Sequence, residues 1–339
     1  MKSVFVTGPG KLEVLQVSEP QAGPDDLLVR VMACGICGAD PHTLKQGSVV
    51  AGAEQTALGH EPAGEVIEVG AEVTTVEVGD HVVIDPTGVR DAIIGGGGPQ
   101  GALSEVIVVR GAKEGKNFSV VPKHVPWHVA ALAEPLAVAR RVVDKTNPRP
   151  EHKAIVFGAG PVGLGALLAL KHYGVSHVVV ADVQPTRLEV AMELGADATI
   201  DSSRHDVRSR LVDLHGTGSD AFGRPGLPDT DIYIDAAGVP AVAQTVFAGP
   251  KLGAVFGIVA IYHESVPVDF QMLIPSELTI VHSMGHPSGE MFTVARDIAK
   301  NTEKYARIVG DVIPFKDVAY AIELAGNASK SSKVVVSLS

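Results

Sequence analysis

Cys37, His60 and Glu61 offer one thiolate, one imidazole and one carboxylate. That donor set can hold a zinc ion and leave its fourth position open to a substrate oxygen. Only two cysteines occur in the chain, Cys34 and Cys37. A closed four-cysteine site therefore cannot be built, and neither can a disulfide framework. The Cys34-Gly-Ile-Cys37 spacing also permits a redox pair, the blander reading of a CxxC in a cytosolic chain. Neighbours such as His60 and Glu61 reach one ion only if the backbone bends, and the flanking Gly59 and Pro62 suit a bend.

A second chemical motif is Gly158-Ala159-Gly160-Pro161-Val162-Gly163. It follows an apolar strand and opens a helix, which a bare glycine pattern does not require. Gly158 permits a tight turn, Gly160 lets backbone approach a pyrophosphate, and Gly163 lets helix and strand pack closely. The helix start at Pro161 and Val162 turns N–H groups and a positive dipole end toward phosphate. Asp182 lies 182 − 163 = 19 residues on, where a carboxylate accepts hydrogen bonds from ribose hydroxyls. It would repel a 2′-phosphate, so the cofactor expected is NAD rather than NADP. Arg187, close by, pulls slightly the other way.

The elements that carry these residues change character along the chain. Strand-length, β-branched runs occupy Leu27–Ala33, Ala63–Val69, His81–Ile84 and Leu103–Val109, with no long helical periodicity before about residue 126. This third reads as a compact, barrel-like β unit. From Lys153, strands alternate with helices: Lys153–Phe157, helix Pro161–Tyr173, His177–Ala181, helix Pro185–Leu194, then strands Asp231–Asp235, Ala254–Val259 and Leu278–Ser283. Proline near each helix start and glycine just past each end punctuate the pattern. The alternation predicts a doubly wound parallel sheet, so the fold class is α/β. Helical segments Met291–Ala299 and Val318–Leu324 and a strand at Lys333–Leu338 follow, and that strand is expected to return to the β unit. The expected division is 1–136, 137–286 and 287–339, the last belonging with the first.

Length and composition are those of a soluble protein of about two domains: 339 residues, 45 % apolar, 20 % charged. A net charge of -11 argues against a nucleic-acid partner. The uncharged run Ala154–Leu170 approaches membrane-span length, but its glycines, proline and cofactor motif mark it as buried strand, turn and helix. No secretory signal is visible at Met1-Lys2-Ser3-Val4-Phe5, so a cytoplasmic location is expected.

The stretches Cys34-Gly-Ile-Cys37-Gly-Ala-Asp40-Pro-His42, Gly59-His-Glu61-Pro-Ala-Gly64, Gly79-Asp80-His81-Val82, Ala133-Glu134-Pro135-Leu136 and Gly158–Gly163 occur in this order. Together they resemble the zinc-dependent medium-chain dehydrogenase/reductase family, most of all its polyol (sorbitol) and threonine dehydrogenase branch. The resemblance spans essentially the whole chain. It implies a GroES-like β-barrel catalytic domain plus a Rossmann domain. It also implies that Cys37 rather than Cys34, with His60 and Glu61, ligates one zinc per subunit. Glu134 then ligates the metal or holds its water, and His42 takes the position of the outer proton acceptor. Implied too are reversible NAD-linked oxidation of a secondary alcohol or polyol to a ketone, and assembly as a homodimer or homotetramer.

Two departures stand out. Ala39 occupies a position where the family carries Ser or Thr, so the usual proton relay lacks its first hydroxyl. Pro86–Pro99, with Gly95–Gly98 in a row, stands where many relatives carry a four-cysteine lobe. Two other readings use the same residues: a zinc-free NADPH quinone reductase of this fold, and an NAD-binding protein without turnover, which Ala39 favours.

Overall fold

The structure, a computed structural model, describes residues 1–48, 54–287, 289–327 and 330–339. The chain divides into two compact units, Met1–Pro135 with Pro287–Ser339, and Leu136–His286. Helix Ala133–Lys145 runs across the first border, which falls one residue before the expected one.

In the first unit the strand order is Asp311–Pro314, Val334–Ser337, Leu27–Gly35, Glu61–Val69, His81–Ile84 and Phe118–Val120, and Val106–Val109 also pairs with Leu27–Gly35. All these pairings are antiparallel except the first, between Asp311–Pro314 and Val334–Ser337. A three-stranded sheet built on Lys2–Gly8 joins the same core, to which Val4 and Val6 contribute beside Val29, Val31, Ile107 and Phe118. The C-terminal segment is part of this unit: Val318, Ile322, Val334 and Val336 lie in that core. Strand Val334–Ser337 sits beside Leu27–Gly35, with Val335 opposite Gly35.

Several elements depart from the sequence reading: in the second unit, strand Ala198–Asp201 and helices Val207–His215 and Pro240–Phe247 occupy stretches to which it assigns no element. A helix at Ala39–Gln46 interrupts the β-rich third, where strands and turns are expected. Its fully buried residues are Asp40 and Thr43, and Leu44 packs against the core only partly buried, so its inner face is mostly polar. Hydrophobic periodicity, the usual helix signal, is therefore missing.

The second unit holds six parallel strands in the order Ala198–Asp201, His177–Asp182, Lys153–Phe157, Ile232–Asp235, Val255–Ile258, Thr279–His282. The order starts in the middle and winds outward both ways, which places a switch point at Lys153–Phe157. Strand interiors such as Val178–Ala181 are buried, as parallel strands covered on both faces must be. Pro161 and Pro185 start the first two helices, and Gly174 (φ +74°) and Gly195 (φ +103°) take the left-handed conformation that stops them. The uncharged run Ala154–Leu170 is thus strand, turn and helix. Among the described residues no helix is long and apolar enough to cross a membrane.

A polar cluster closes the N-terminal ends of this sheet. Lys153 donates to the His215 carbonyl (2.6 Å) and to Asp229 (2.8 Å), and Lys251 pairs with Asp229 (2.6 Å) and Asp231 (2.5 Å). His215 is buried, with its Nδ1 2.7 Å from Thr230 Oγ1 and its ring edge-on to His177. Burial, then repulsion from His177 and Lys153, pushes its pKa down to about 4 from the usual 6.5. The unfolded chain therefore binds this proton first, and folding stability falls as pH drops from 6.5 toward 4. At about 1.4 kcal/mol per pH unit, the loss reaches at most about 3 kcal/mol. His215→Gln should flatten this acid limb. Urea unfolding of both proteins at pH 7 and pH 5 checks it, and a pH-independent difference between them would sink the assignment.

Candidate metal centre

Gly59 is the hinge of the site. Its φ of +87° lies in the left-handed region, and a Cβ there would meet Leu103 N at 2.6 Å and Cys34 Sγ at 3.0 Å. Only glycine fits. The turn it makes lets His60 point away before Glu61 enters the strand Glu61–Val69. Gly95 (φ +68°) packs on the outside of this turn, where a Cβ would lie 3.0 Å from His60 Cβ. Within the Gly95–Gly98 stretch it is Gly95 that lies against this turn, where a Cβ would also meet the Gly59 carbonyl at 2.4 Å.

Across the sheet, Leu27–Gly35 delivers Cys37 just past its end, and Gly35 stands opposite Glu61. The Cys37 thiol, a His60 ring nitrogen and a Glu61 carboxylate oxygen lie within 4.8 Å of one another. Three donors of these types at that spacing fit a divalent metal of the zinc kind. The electrostatics fit too. Burial opposes charge on His60, but a hydrogen bond that its ring donates to Cys37 and the negative charges of Cys37, Asp40 and Glu134 outweigh it and hold its pKa well above the ordinary value. A pocket that draws a proton onto a buried imidazole is one that a cation would neutralise.

Cys34 takes no part in that trio. It is fully buried, its thiol donates to the Gly35 carbonyl, and burial with Asp40 nearby pushes its pKa well up. A protonated, buried thiol is a poor ligand and a poor redox partner, so the CxxC reading loses its footing.

Glu134, in the first turn of helix Ala133–Lys145, is buried and lies outside the close trio, within electrostatic reach of His60 and Glu61. Burial pushes its carboxyl up to about 7, against the pull of His60. His42 sits half-buried on helix Ala39–Gln46, and Ala39 opens that helix.

Two residues without a role in the sequence reading organise the centre. Asp40, buried, accepts hydrogen bonds from the Cys37 amide (2.9 Å) and the Gly59 amide (3.4 Å) and stands 4.0 Å from His60 Nδ1. It ties the cysteine turn to the histidine turn and places its charge beside the ring. Its signal is local: an Asp three residues after Cys37, in the first turn of the helix, where its carboxylate reaches back to the Cys37 amide. Lys333 is the other. Its buried ammonium pairs with Glu61 and donates to the Ile36 carbonyl at 2.8 Å. No local signal marks it.

In the second unit, Gly158 (φ +92°) makes the turn after Lys153–Phe157, with Ala236 backbone 3.2 Å from where a Cβ would stand. A Cβ on Gly163 would collide with the Gly158 carbonyl, so that glycine seats the helix on the turn. At Gly160 the space is open, the nearest atom being Arg187 Nη1 at 3.9 Å. Asp182, buried, accepts from the Ala159 amide (2.7 Å) and the Gln184 amide (2.8 Å). A carboxylate has about four acceptor positions; two go to backbone here, which leaves capacity for a diol. Pro161 and Val162, half-buried, form the helix start facing this turn.

A sheet wound 3-2-1-4-5-6 with a glycine turn, together with a β unit carrying a Cys/His/Glu trio, defines a zinc-type dehydrogenase architecture. Family models bear this out: residues 23–116 match the alcohol dehydrogenase GroES-like domain and 161–300 the zinc-binding dehydrogenase domain. L-threonine 3-dehydrogenase of Pyrococcus horikoshii is 30 % identical over 317 residues, covering 87 % of this chain and 86 % of that one. The crystal structure of 2R,3R-butanediol dehydrogenase from Bacillus subtilis superposes with a TM-score of 0.85 at 25 % identity, covering 100 % of this chain and 99 % of that one. An E. coli alcohol dehydrogenase solved with NADH gives a TM-score of 0.83 at 27 % identity, with coverage of 100 % and 99 %. The chain belongs to the zinc-type medium-chain dehydrogenase/reductase family of alcohol dehydrogenases.

The geometry predicts the outcome of one small change. A Cβ at Gly35 would clash with Glu61 Oε2 and stand 2.9 Å from Lys333 Cε. Gly35→Ala should destabilise the protein by about 1–3 kcal/mol and lower the zinc retained after purification. Urea midpoints and metal content measure the two effects, and an alanine variant with unchanged values of both would disprove the packing account.

Proposed function

We propose that this protein is an NAD-dependent zinc dehydrogenase that reversibly oxidises a secondary alcohol, or one hydroxyl of a polyol, to the ketone. The observation that carries the reading is the convergence of Cys37, His60 and Glu61 within 4.8 Å in a chain that also holds the Gly158–Gly163 turn and Asp182. The threonine and butanediol dehydrogenases to which it is similar take their names from substrates with a secondary hydroxyl, which supports that class.

In this reading Met1–136 and 287–339 form the catalytic domain and 137–286 the cofactor domain. Zinc, one per subunit, supplies Lewis acidity that eases deprotonation of an alcohol hydroxyl near neutral pH. Cys37 and Glu61 are its anionic ligands and His60 a neutral one, with the charge of Asp40 beside the ring. Glu134, outside the trio but beside it, holds solvent or a proton rather than ligating; a carboxyl raised to about 7 suits both states. His42 is the outer proton acceptor, and because Ala39 has no hydroxyl, Glu134 carries the first step of proton release.

Gly158, Gly160, Pro161, Val162 and Gly163 receive the pyrophosphate of NAD on backbone and helix start, and Asp182 receives the adenosine ribose hydroxyls. The buried carboxylate disfavours a 2′-phosphate, whereas Arg187, whose Nη1 lies near Gly160, would welcome it. The enzyme works in the cytoplasm as a homo-oligomer. In support of assembly, the edge strand Thr279–His282 is largely uncovered, and Phe270, Ile274 and Met284 near it are exposed by 73 %, 70 % and 91 %. An open apolar sheet edge is a surface that a second copy can close.

Cys37→Ser should lose bound zinc and NAD-linked oxidation together, by about 100-fold or more. The assay spans polyols, sugars, amino alcohols and cyclic secondary alcohols, with NAD and NADP, with and without a chelator. Activity that survives stoichiometric metal loss would refute the zinc role, and equal rates with NADP the role of Asp182. Light scattering should show a dimer or tetramer that Ile280→Asp breaks down; a wild-type monomer would end the assembly proposal.

A further inference from the structure

The metal-facing carboxylate is already held by a cation that the chain supplies itself. Strands Val334–Ser337, Leu27–Gly35 and Glu61–Val69 are neighbours in that order. Adjacent strands lie about 4.8 Å apart, so side chains on the outer two are separated by about 10 Å and by whatever stands between. Here nothing does. Gly35 is opposite both Val335 and Glu61, and its missing side chain opens a passage over the middle strand. Lys333, just before Val334, reaches through it to Glu61 and also donates to the Ile36 carbonyl, 2.8 Å away.

Neither partner has access to water: Lys333 is 2 % exposed and Glu61 1 %. The ammonium also feels the negative charges of Cys37 and Glu134. A buried acid cluster of this kind is unfavourable without a compensating cation. A metal would compensate it, and so does Lys333.

We propose that Lys333 is a positioning residue that stands in for the metal at Glu61: in the metal-free protein its ammonium holds the carboxylate in place, and metal loading is an exchange in which a divalent cation takes over that hold. The proposal rests on the reading of Glu61 as a metal ligand. It differs from a plain structural ion pair in one respect. Lysine and metal compete for the same charge, so removing the lysine makes the site hungrier for metal, although it weakens the empty protein.

The test uses full-length protein stripped with a chelator, then melted with and without added zinc. Metal-free Lys333→Met should melt about 5 °C or more below wild type, and zinc should recover most of the deficit. Linkage then requires zinc to bind the variant about tenfold more tightly in chelator competition. Lys333→Arg should behave as wild type in both measurements. If metal-free Lys333→Met melts as wild type, or binds zinc equally or more weakly, the exchange is overturned. Should Lys333→Met fail to fold, Glu61→Gln decides with the double variant. Without metal, the double variant should melt above Glu61→Gln, because no lone buried charge remains; no gain would overturn the proposal. Zinc that leaves wild-type melting unmoved would instead refute the ligand role of Glu61, and the exchange would fall with it.

Discussion

Charge balance in a dry pocket is the constraint around which the first unit is arranged. Asp40, Glu61 and Glu134 are buried together near Cys37, a concentration of acid that water would disperse and a protein interior cannot. Each acid is answered in a different way. Asp40 spends its lone pairs on two backbone amides, Glu61 has Lys333, and Glu134 moves its pKa toward neutrality. His60 is drawn toward its charged form by what remains. The residual demand for positive charge is one that a metal ion on these three adjacent donors would meet.

The cofactor turn of the second unit follows a contrasting logic, in which space rather than charge is managed. Gly158 is forced by its left-handed backbone and Gly163 by contact with the Gly158 carbonyl, while Gly160 faces open space. Asp182 fastens the turn by accepting from Ala159. The acid that would select the ribose thus also holds the loop that would receive the phosphates, so recognition and scaffold are one hydrogen-bond arrangement.

Much of this is written in local patterns. The alternation of β-branched runs and proline-to-glycine helices marks five of the six strands of the parallel sheet, with Lys153–Phe157 and His81–Ile84 ending where their apolar runs end, and passes over the short edge strand Ala198–Asp201. The glycine motif is legible because its residues are contiguous. Cys37 and the His60-Glu61 pair are legible by donor chemistry once they are joined to the glycine motif, since thiolate, imidazole and carboxylate make a zinc donor set. Helix Ala39–Gln46 is illegible because its inner face is mostly polar. Lys333 is illegible for a deeper reason: its partner lies two strands away across Gly35, and strand register over nearly three hundred residues has no local signature. The role of Asp40 falls between these cases, near its partners in the chain yet meaningful only once Gly59 is folded back upon it.

The return of the C-terminal segment also sets an order of events. The chain reaches Lys333 only after the whole second unit has been made, and its contact with Ile36 spans 297 residues. During synthesis the first 135 residues therefore emerge with Glu61 lacking its lysine and with the core lacking Val318, Ile322, Val334 and Val336. Contacts so distant in sequence form late, since loop closure must precede them. The parallel sheet can mature on its own contiguous residues, whereas the unit that carries Cys37, His60 and Glu61 waits for the last strand. Its candidate site is then the final part of the molecule to be completed, and a nascent chain gathers its acids before it owns the cation that quiets them.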